Sequence, residues 1–215
     1  MSKKYLFLSM FVAVAAVFAF AALSLGKDQL PFKAGDNAPS FIAKDSDGKT
    51  YKSGELFKTG PSLFVFYPGD ETPGCTKQLC AIRDDYKMFS MHGIQVFGVN
   101  QADAASHNSF IKNQKYQFPL IVDEGFALSK AFGAFKDGDP YITRTVALVG
   151  ADGKFIFYER GMPEDTAIIG AYHKSLGGEC PVCAQMMAEG SNANESDCQC
   201  GPGCHCGGNP CTCKS

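Results

Sequence analysis

Residues 62–90 read SLFVFYPGDETPGCTKQLCAIRDDYKMFS. The first six, Ser62 to Tyr67, form a short apolar run of the length and β-rich composition of a buried strand. A turn with Pro68, Gly69, Pro73 and Gly74 follows. Beyond it the period changes. Leu79, Ile82, Tyr86 and Phe89 are spaced +3, +4, +3, which predicts one helix from about Gly74 to Met91 burying that face. Gly93 suits its end. A strand, a tight turn and a helix in that order, with Ile94 to Val99 (IQVFGV) as the next apolar strand, begin an alternating α/β unit.

The flanking sequence extends the same alternation. Upstream, Asp47-Gly48 sits between extended segments within Phe41–Tyr51, a hairpin signal. Downstream come a helix over Ala104–Gln114, a strand over Phe118–Val122 and a short helix over Phe126–Phe132. Thr145–Val149 and Lys154–Tyr158 flank Asp152-Gly153 as a second hairpin, and Glu164–Ser175 is the last helix. The expectation is a mixed sheet with helices on both faces, folded over residues 34–175.

The chain has 215 residues, 45% hydrophobic and 20% charged, enough for one to two ordinary domains. Its 20 basic and 22 acidic residues give a net charge of -2, so no global field collects nucleic acid. The ends differ from the middle. Lys3 and Lys4 precede an uncharged apolar run to Gly26, the pattern of a secretory signal, with Ala19-Phe20-Ala21 as a small-x-small cleavage site. The same run is long enough to remain as an uncleaved anchor, in which case residues 5–26 are the chain's only membrane contact. Either way residues 27–215 are expected to be exported, to the periplasm or another extracytoplasmic compartment, with Lys3 and Lys4 left inside. At the other end, residues 176–197 read as a linker carrying a C-x-x-C pair, and residues 198–215 as a Cys-rich tail. Together they hold eight of the 10 cysteines.

Cys75 follows a buried strand and a turn and opens a helix, where free N–H groups and the positive end of the helix dipole favour a thiolate. A small buried hydrophobe is the other ordinary use of such a cysteine. Cys80 is five residues further on, a rise of ~7.5 Å in an intact α-helix. A disulfide needs Cα atoms within about 7 Å, so the two can bond only if the first turn unwinds. That is the behaviour of a two-cysteine switch.

Tyr67-Pro68-Gly69-Asp70-Glu71-Thr72-Pro73-Gly74-Cys75-Thr76-Lys77-Gln78-Leu79-Cys80, followed by Arg83-Asp84, resembles the active-site segment of the peroxiredoxins of the bacterioferritin-comigratory, or PrxQ, type (AhpC/TSA superfamily). Pro68, Thr72 and Cys75 match the family's P-x-x-x-T-x-x-C, and Cys80 matches the branch's resolving cysteine. Gly98-Val99-Asn100, Ser106-His107, Phe118-Pro119-Leu120, Asp123 and Arg144-Thr145 also fall where that branch carries similar residues.

The resemblance implies a thioredoxin-like fold and reduction of hydrogen peroxide or organic hydroperoxides without a cofactor. It makes Cys75 the peroxidatic thiolate, oxidised to a sulfenic acid. Thr72 and the Cys75 N–H orient the peroxide, Arg144 stabilises charge on sulfur and leaving oxygen, and Pro68 shields the site. Cys80 then forms the Cys75–Cys80 disulfide, which a thioredoxin-like dithiol reductant opens by exchange. Gln78 stands where the branch often has Glu, so a tuning effect is expected. Arg83 is expected to pair with an acid of its own helix, Lys77 to be a solvated charge, and His92, His107 and His173 to be structural.

In the tail, Cys198-Gln-Cys200, Cys204-His-Cys206 and Cys211-Thr-Cys213 are three C-x-C pairs. They resemble a metallothionein segment, and with His205 they suit a soft metal such as Cu(I), Zn(II) or Cd(II). A disulfide knot is the alternative in an oxidising compartment. Cys180-Pro-Val-Cys183 has the spacing of both zinc knuckles and redox dithiols, so it reads either as two further metal ligands or as an attached reductant. Two competing functions stand beside the peroxidase: a metal-binding or detoxification protein on a thioredoxin-like scaffold, and a thiol-disulfide oxidoreductase. The latter would want C-x-x-C, not C-x4-C, at the start of the first long helix.

Overall fold

In the computed structural model, the described residues are 30–178, with the backbone of 205–206 and 209–210. The apolar leader, the Cys180/Cys183 pair and most of the tail lie outside them. The tail's described backbone is a single antiparallel pairing of His205–Cys206 with Asn209–Pro210. Among the described residues no helix is long and apolar enough to cross a membrane.

Seven strands form one mixed sheet. They are β1 (Ile42–Asp45), β2 (Thr50–Lys52), β3 (Ser62–Phe66), β4 (Gln95–Asn100), β5 (Leu120–Val122), β6 (Thr145–Val149) and β7 (Phe155–Arg160). Their order across the sheet is β2-β1-β5-β4-β3-β6-β7. β3 lies between parallel β4 and antiparallel β6, buried at all five positions. That explains its unbroken apolar composition: both faces are covered.

Side-chain alternation along β3 feeds two cores. Leu63, Val65 and Tyr67 belong to one cluster with Leu79 and Ile82, Phe110, Ile168 and Ile169. These come from α2 (Pro73–Asp84), α4 (Ala104–Gln114) and α6 (Asp165–Ser175). Phe64 and Phe66 belong to the other, with Tyr51, Phe57, Phe97, Phe132 and Phe155. This second cluster is largely aromatic, and Phe64 meets Phe97 and Phe132 at ring-centroid distances of 5.4 and 5.1 Å. It is covered by α1 (Ser53–Leu56) with the 3-10 turn Phe57–Thr59, and by α5 (Ala127–Ala131). Burial of each such ring or aliphatic side chain contributes about 1.5–3 kcal/mol.

The helix expected over 74–91 is two helices. α2 ends at Asp84, Asp85 leaves the helical region (φ -92, ψ 8), and α3 (Tyr86–Met91) restarts. Two successive aspartates at a helix C-terminus oppose the dipole and have low helix propensity. The Asp85 carbonyl then accepts from Met88 N–H at 2.9 Å to begin the next turn. The apolar period hides the break because Ile82 and Phe89 are both buried across it. The strand expected from Phe118 starts at Leu120. Pro119 has no N–H for the ladder, although its carbonyl accepts from Gly98 at 3.1 Å. The other hairpins and helices lie within a few residues of expectation. Ala104–Gln114 matches at both ends.

Candidate active site around Cys75

The site begins at the end of β3. Pro68 is half-buried and its carbonyl accepts from Gln101 Nε2 at 3.3 Å. Asp70 then turns inward. Its Oδ1 accepts from Tyr67 Oη at 2.9 Å and Asn100 Nδ2 at 2.7 Å. Its Oδ2 meets Ser106 Oγ at 2.7 Å and His107 Nδ1 at 2.9 Å. His107 Nε2 lies 3.1 Å from the Ile121 carbonyl. Burial raises the Asp70 carboxyl, but the charge and hydrogen bonds of His107, Ser106 and Asn100 outweigh it, and the net shift is downward. Burial, and Asp70 next, push the Tyr67 phenol well up. Glu71 follows in the left-handed region at φ 54, with Oε1 taking a 2.8 Å hydrogen bond from Asn113.

Thr72 is the N-cap of α2, with extended backbone (φ -74, ψ 144) and Pro73 at the first helical position. Its Oγ1 accepts from Cys75 N–H at 3.4 Å and lies 3.5 Å from the Gly69 carbonyl. The hydroxyl is exposed and the Cys75 thiol beneath it is fully buried. Arg144, immediately before β6, donates from Nη2 to Cys75 Sγ at 3.2 Å. Its Nη1 donates to Gln78 Oε1 at 2.7 Å, and Gln78 Nε2 donates to the Gly161 carbonyl at 3.4 Å. Gly74 makes this approach possible: a Cβ there would stand 2.9 Å from Arg144 Nη2.

Pro68, Thr72, Cys75 and Arg144 are thus placed on one short stretch of chain and the strand beside it. Cys80 lies on the same intact helix but on a different face, half-buried, with its thiol 3.6 Å from Gln114 Oε1. Cys75 and Cys80 are both free thiols. Arg83 pairs with Asp84, Nη2 to Oδ1 at 2.7 Å, and also donates to the Gln114 carbonyl at 2.9 Å. His92 and His173 are buried against each other, Nε2 to Nε2 at 2.8 Å. Among the described residues no group of three or more His, Cys, Asp or Glu is arranged to hold a metal. The proposed tail ligands lie outside them.

The sequence motif includes Asp70 but gives it no role, and nothing in it singles out Gln114. The signal for Asp70 was a buried-strand terminus carrying an acid, with Asn100 and Ser106-His107 ending and following the next strand. Gln114, which both Cys80 and Arg83 reach, gives no local signal.

A family model described as the AhpC/TSA family matches residues 34–157. Over 103 residues the chain is 46% identical to a chloroplastic peroxiredoxin Q of Triticum aestivum, covering 48% of this chain and 47% of that one. Over 99 residues it is 44% identical to the Arabidopsis thaliana protein of the same name, covering 46% of this chain and 45% of that one. The chain thus spans about half the length of these curated relatives. Among solved structures, peroxidoxin BcpB from Mycobacterium tuberculosis superposes with TM-score 0.57 at 25% identity, over 68% of this chain and 95% of that one. A cysteine-to-serine mutant of Xanthomonas campestris peroxiredoxin Q gives TM-score 0.55 at 25% identity, over 64% and 90%.

Proposed function

The chain belongs to the AhpC/TSA family, has the peroxiredoxin form of the thioredoxin-like fold, and from that premise we propose that it is a thiol peroxidase of the PrxQ type. Cys75 Sγ, as thiolate, attacks the distal oxygen of a hydroperoxide. The O–O bond breaks, sulfur is oxidised to the sulfenic acid, and the proximal oxygen leaves as water or an alcohol. Arg144 Nη2 faces the sulfur and the developing oxyanion, while the Thr72 hydroxyl and the Cys75 N–H orient the peroxide at the helix N-terminus. Pro68 closes the approach beside them. When the first turn of α2 unwinds, the Cys80 thiol displaces the sulfenic hydroxyl as water and forms the Cys75–Cys80 disulfide. An external thioredoxin-like dithiol then reduces it. The cycle draws on no metal or organic cofactor.

The observation that supports this reading best is the 3.2 Å contact from Arg144 Nη2 to a fully buried Cys75 three residues past the N-cap. The test is single-turnover oxidation of the pre-reduced full chain, with each cysteine followed by peptide mass spectrometry. Peroxide consumption far faster than that of free cysteine, abolished by Cys75→Ser, is expected. So is a Cys75–Cys80 disulfide that is absent from Cys80→Ser. Oxidation of Cys75 no faster than that of free cysteine overturns the reading.

For the ends of the chain the support is sequence alone. The proposal is export directed by residues 1–26, and soft-metal binding by Cys198, Cys200, Cys204, Cys206, Cys211, Cys213 and His205, with Cys180 and Cys183 as added ligands. Metal analysis of the purified full chain, against a variant with the tail cysteines replaced by serine, tests the second part.

A further inference from the structure

Resolution needs Cys80, and the surroundings of Cys80 are more specific than a helix surface requires. Its thiol donates to Gln114 Oε1 at 3.6 Å, at the last residue of α4. Three residues on, Arg83 donates to the Gln114 carbonyl at 2.9 Å. Gln114 therefore ties the second half of α2 down through both its side chain and its backbone. Tyr116, two residues past Gln114, belongs to the buried cluster against which Cys80 packs, and its hydroxyl interacts with the same sulfur. It is buried, and its Oη has no hydrogen bond of regular geometry. Burial pushes its ionisation up, and the charge of a neighbouring Cys80 thiolate adds to the shift. The hydroxyl therefore stays a donor, and apart from the Cys80 sulfur it has no partner among the described residues, an arrangement proteins seldom keep.

On the other side of Cys75 the chain is anchored by the four contacts of Asp70. Between the two anchors lie Glu71, in a left-handed conformation with its side chain on Asn113, and a first helical turn held by Thr72 to the N–H groups of Cys75 and Thr76 and by Arg144 to the Cys75 sulfur. Cys75 lies in that segment between the anchors and Cys80 does not, so unwinding the first turn moves Cys75 and leaves Cys80 on its seat.

Resting on the peroxidase reading, we propose that Tyr116 is a catalytic residue of the resolving step. Cys80 stays seated on Gln114 while oxidised Cys75 travels to it, and the Tyr116 hydroxyl donates to the Cys80 sulfur as that sulfur takes on negative charge. The balance is simple. The Cys80 S–H proton leaves with the sulfenic hydroxyl as water, one S–S bond forms, and Tyr116 keeps its own proton. In the reverse direction, when an external thiolate attacks Cys75 of the disulfide, the same hydroxyl stabilises the departing Cys80 thiolate.

The test separates the two oxidation steps in the full chain by quenching with acid and mapping Cys75 and Cys80 by mass spectrometry. Tyr116→Phe preserves the ring and removes only the hydroxyl. The expected result is an unchanged rate of Cys75 sulfenic acid formation and a disulfide step slowed about tenfold. With excess hydrogen peroxide, more of Cys75 should then be driven on to the sulfinic acid. Gln114→Leu should slow the same step by releasing the seat. A merely loosened core would alter the first oxidation as well. An unchanged split between disulfide and sulfinic acid overturns the inference, as does faster resolution in either variant, which would make the seat a restraint. Failure of the unaltered chain to oxidise Cys75 rapidly would overturn the peroxidase reading itself, and this inference with it.

Discussion

Gln78 Oε1 accepts a 2.7 Å hydrogen bond from Arg144 Nη1, so a neutral amide holds the guanidinium that faces Cys75. A carboxylate there would share the positive charge that the sulfur otherwise has to itself. Gln78→Glu is therefore expected to slow the first oxidation of Cys75 by about 3–10-fold, since one pK unit of differential charge interaction is about 1.4 kcal/mol. Rapid-quench kinetics measures this directly. An equal or faster rate would mean that Gln78 only positions Arg144.

Gly74→Ala separates stability from activity. Gly74 sits in the first turn of a helix, where Ala is favoured by about 0.8–1 kcal/mol over Gly. Yet the added Cβ would stand 2.9 Å from Arg144 Nη2 and push the guanidinium off the sulfur. The expected variant melts no lower than the parent and oxidises at least tenfold more slowly. Loss of one well-placed charge-stabilising donor costs about 10²–10³ at the extreme. Differential scanning fluorimetry beside the same kinetics reads both quantities.

Asp70→Asn replaces an acceptor of four hydrogen bonds with an amide whose N–H₂ must face donors. Breaking a buried charged network of this kind costs about 3–5 kcal/mol. The folded-state carboxyl lies below its ordinary value, so its contribution is present above about pH 4 and is lost as pH falls through the lowered folded value. Chemical denaturation at pH 7 should show the full deficit, and the gap to the parent should narrow in acid.

Asp165 and His173, both on α6, act in opposite senses. Burial, then the nearby Asp85 carboxylate, push Asp165 up to about 7. Its favourable share is therefore present below about pH 4 and is lost as pH rises through 7. Burial, then His92, push His173 down to about 4. Its share is present above about pH 6.5 and is lost as pH falls toward 4. Between pH 4 and 6.5 the two slopes oppose each other. Asp165→Asn should thus stabilise the protein at pH 8, on the order of 2 kcal/mol, and expose a steeper loss of stability below pH 6.5. Urea midpoints across pH 4 to 8 test both.

The sheet and most helices were legible because their signals are local. The apolar run at Ser62–Phe66, the Asp47-Gly48 and Asp152-Gly153 turns, and the spacing of Leu79 and Ile82 each specify one element. Cys75 drew attention for the same reason, as a thiol at the start of a helix, whereas the roles of Thr72 and Pro68 came from the family motif that spans those eight consecutive positions. Arg144 too was reached only through the family resemblance, because it lies 69 positions from the sulfur that it touches. The break at Asp85 escaped because periodicity reports which face is buried, not whether the helix continues. The parts proposed for Gln114 and Tyr116 carry no sequence signal, because a glutamine at a helix end and a tyrosine after it look like surface and core until Cys80 is placed beside them.

The division of β3 into two separately packed faces has a mechanical consequence. The buried residues of α2 belong to the cluster of Leu79, Ile82, Phe110 and Ile169, so the unwinding proposed for its start would fall on that side of the sheet. The interlocked phenyl rings of Phe64, Phe66, Phe97 and Phe132 on the far side share no side chain with the moving turn. In the proposed cycle, opening the reactive side is therefore a subglobal event with its own, smaller free energy, and the chain need not risk unfolding each time a sulfur is oxidised. The aromatic layer acts as ballast: it fixes the sheet so that repeated small openings on the opposite face always close onto the same floor.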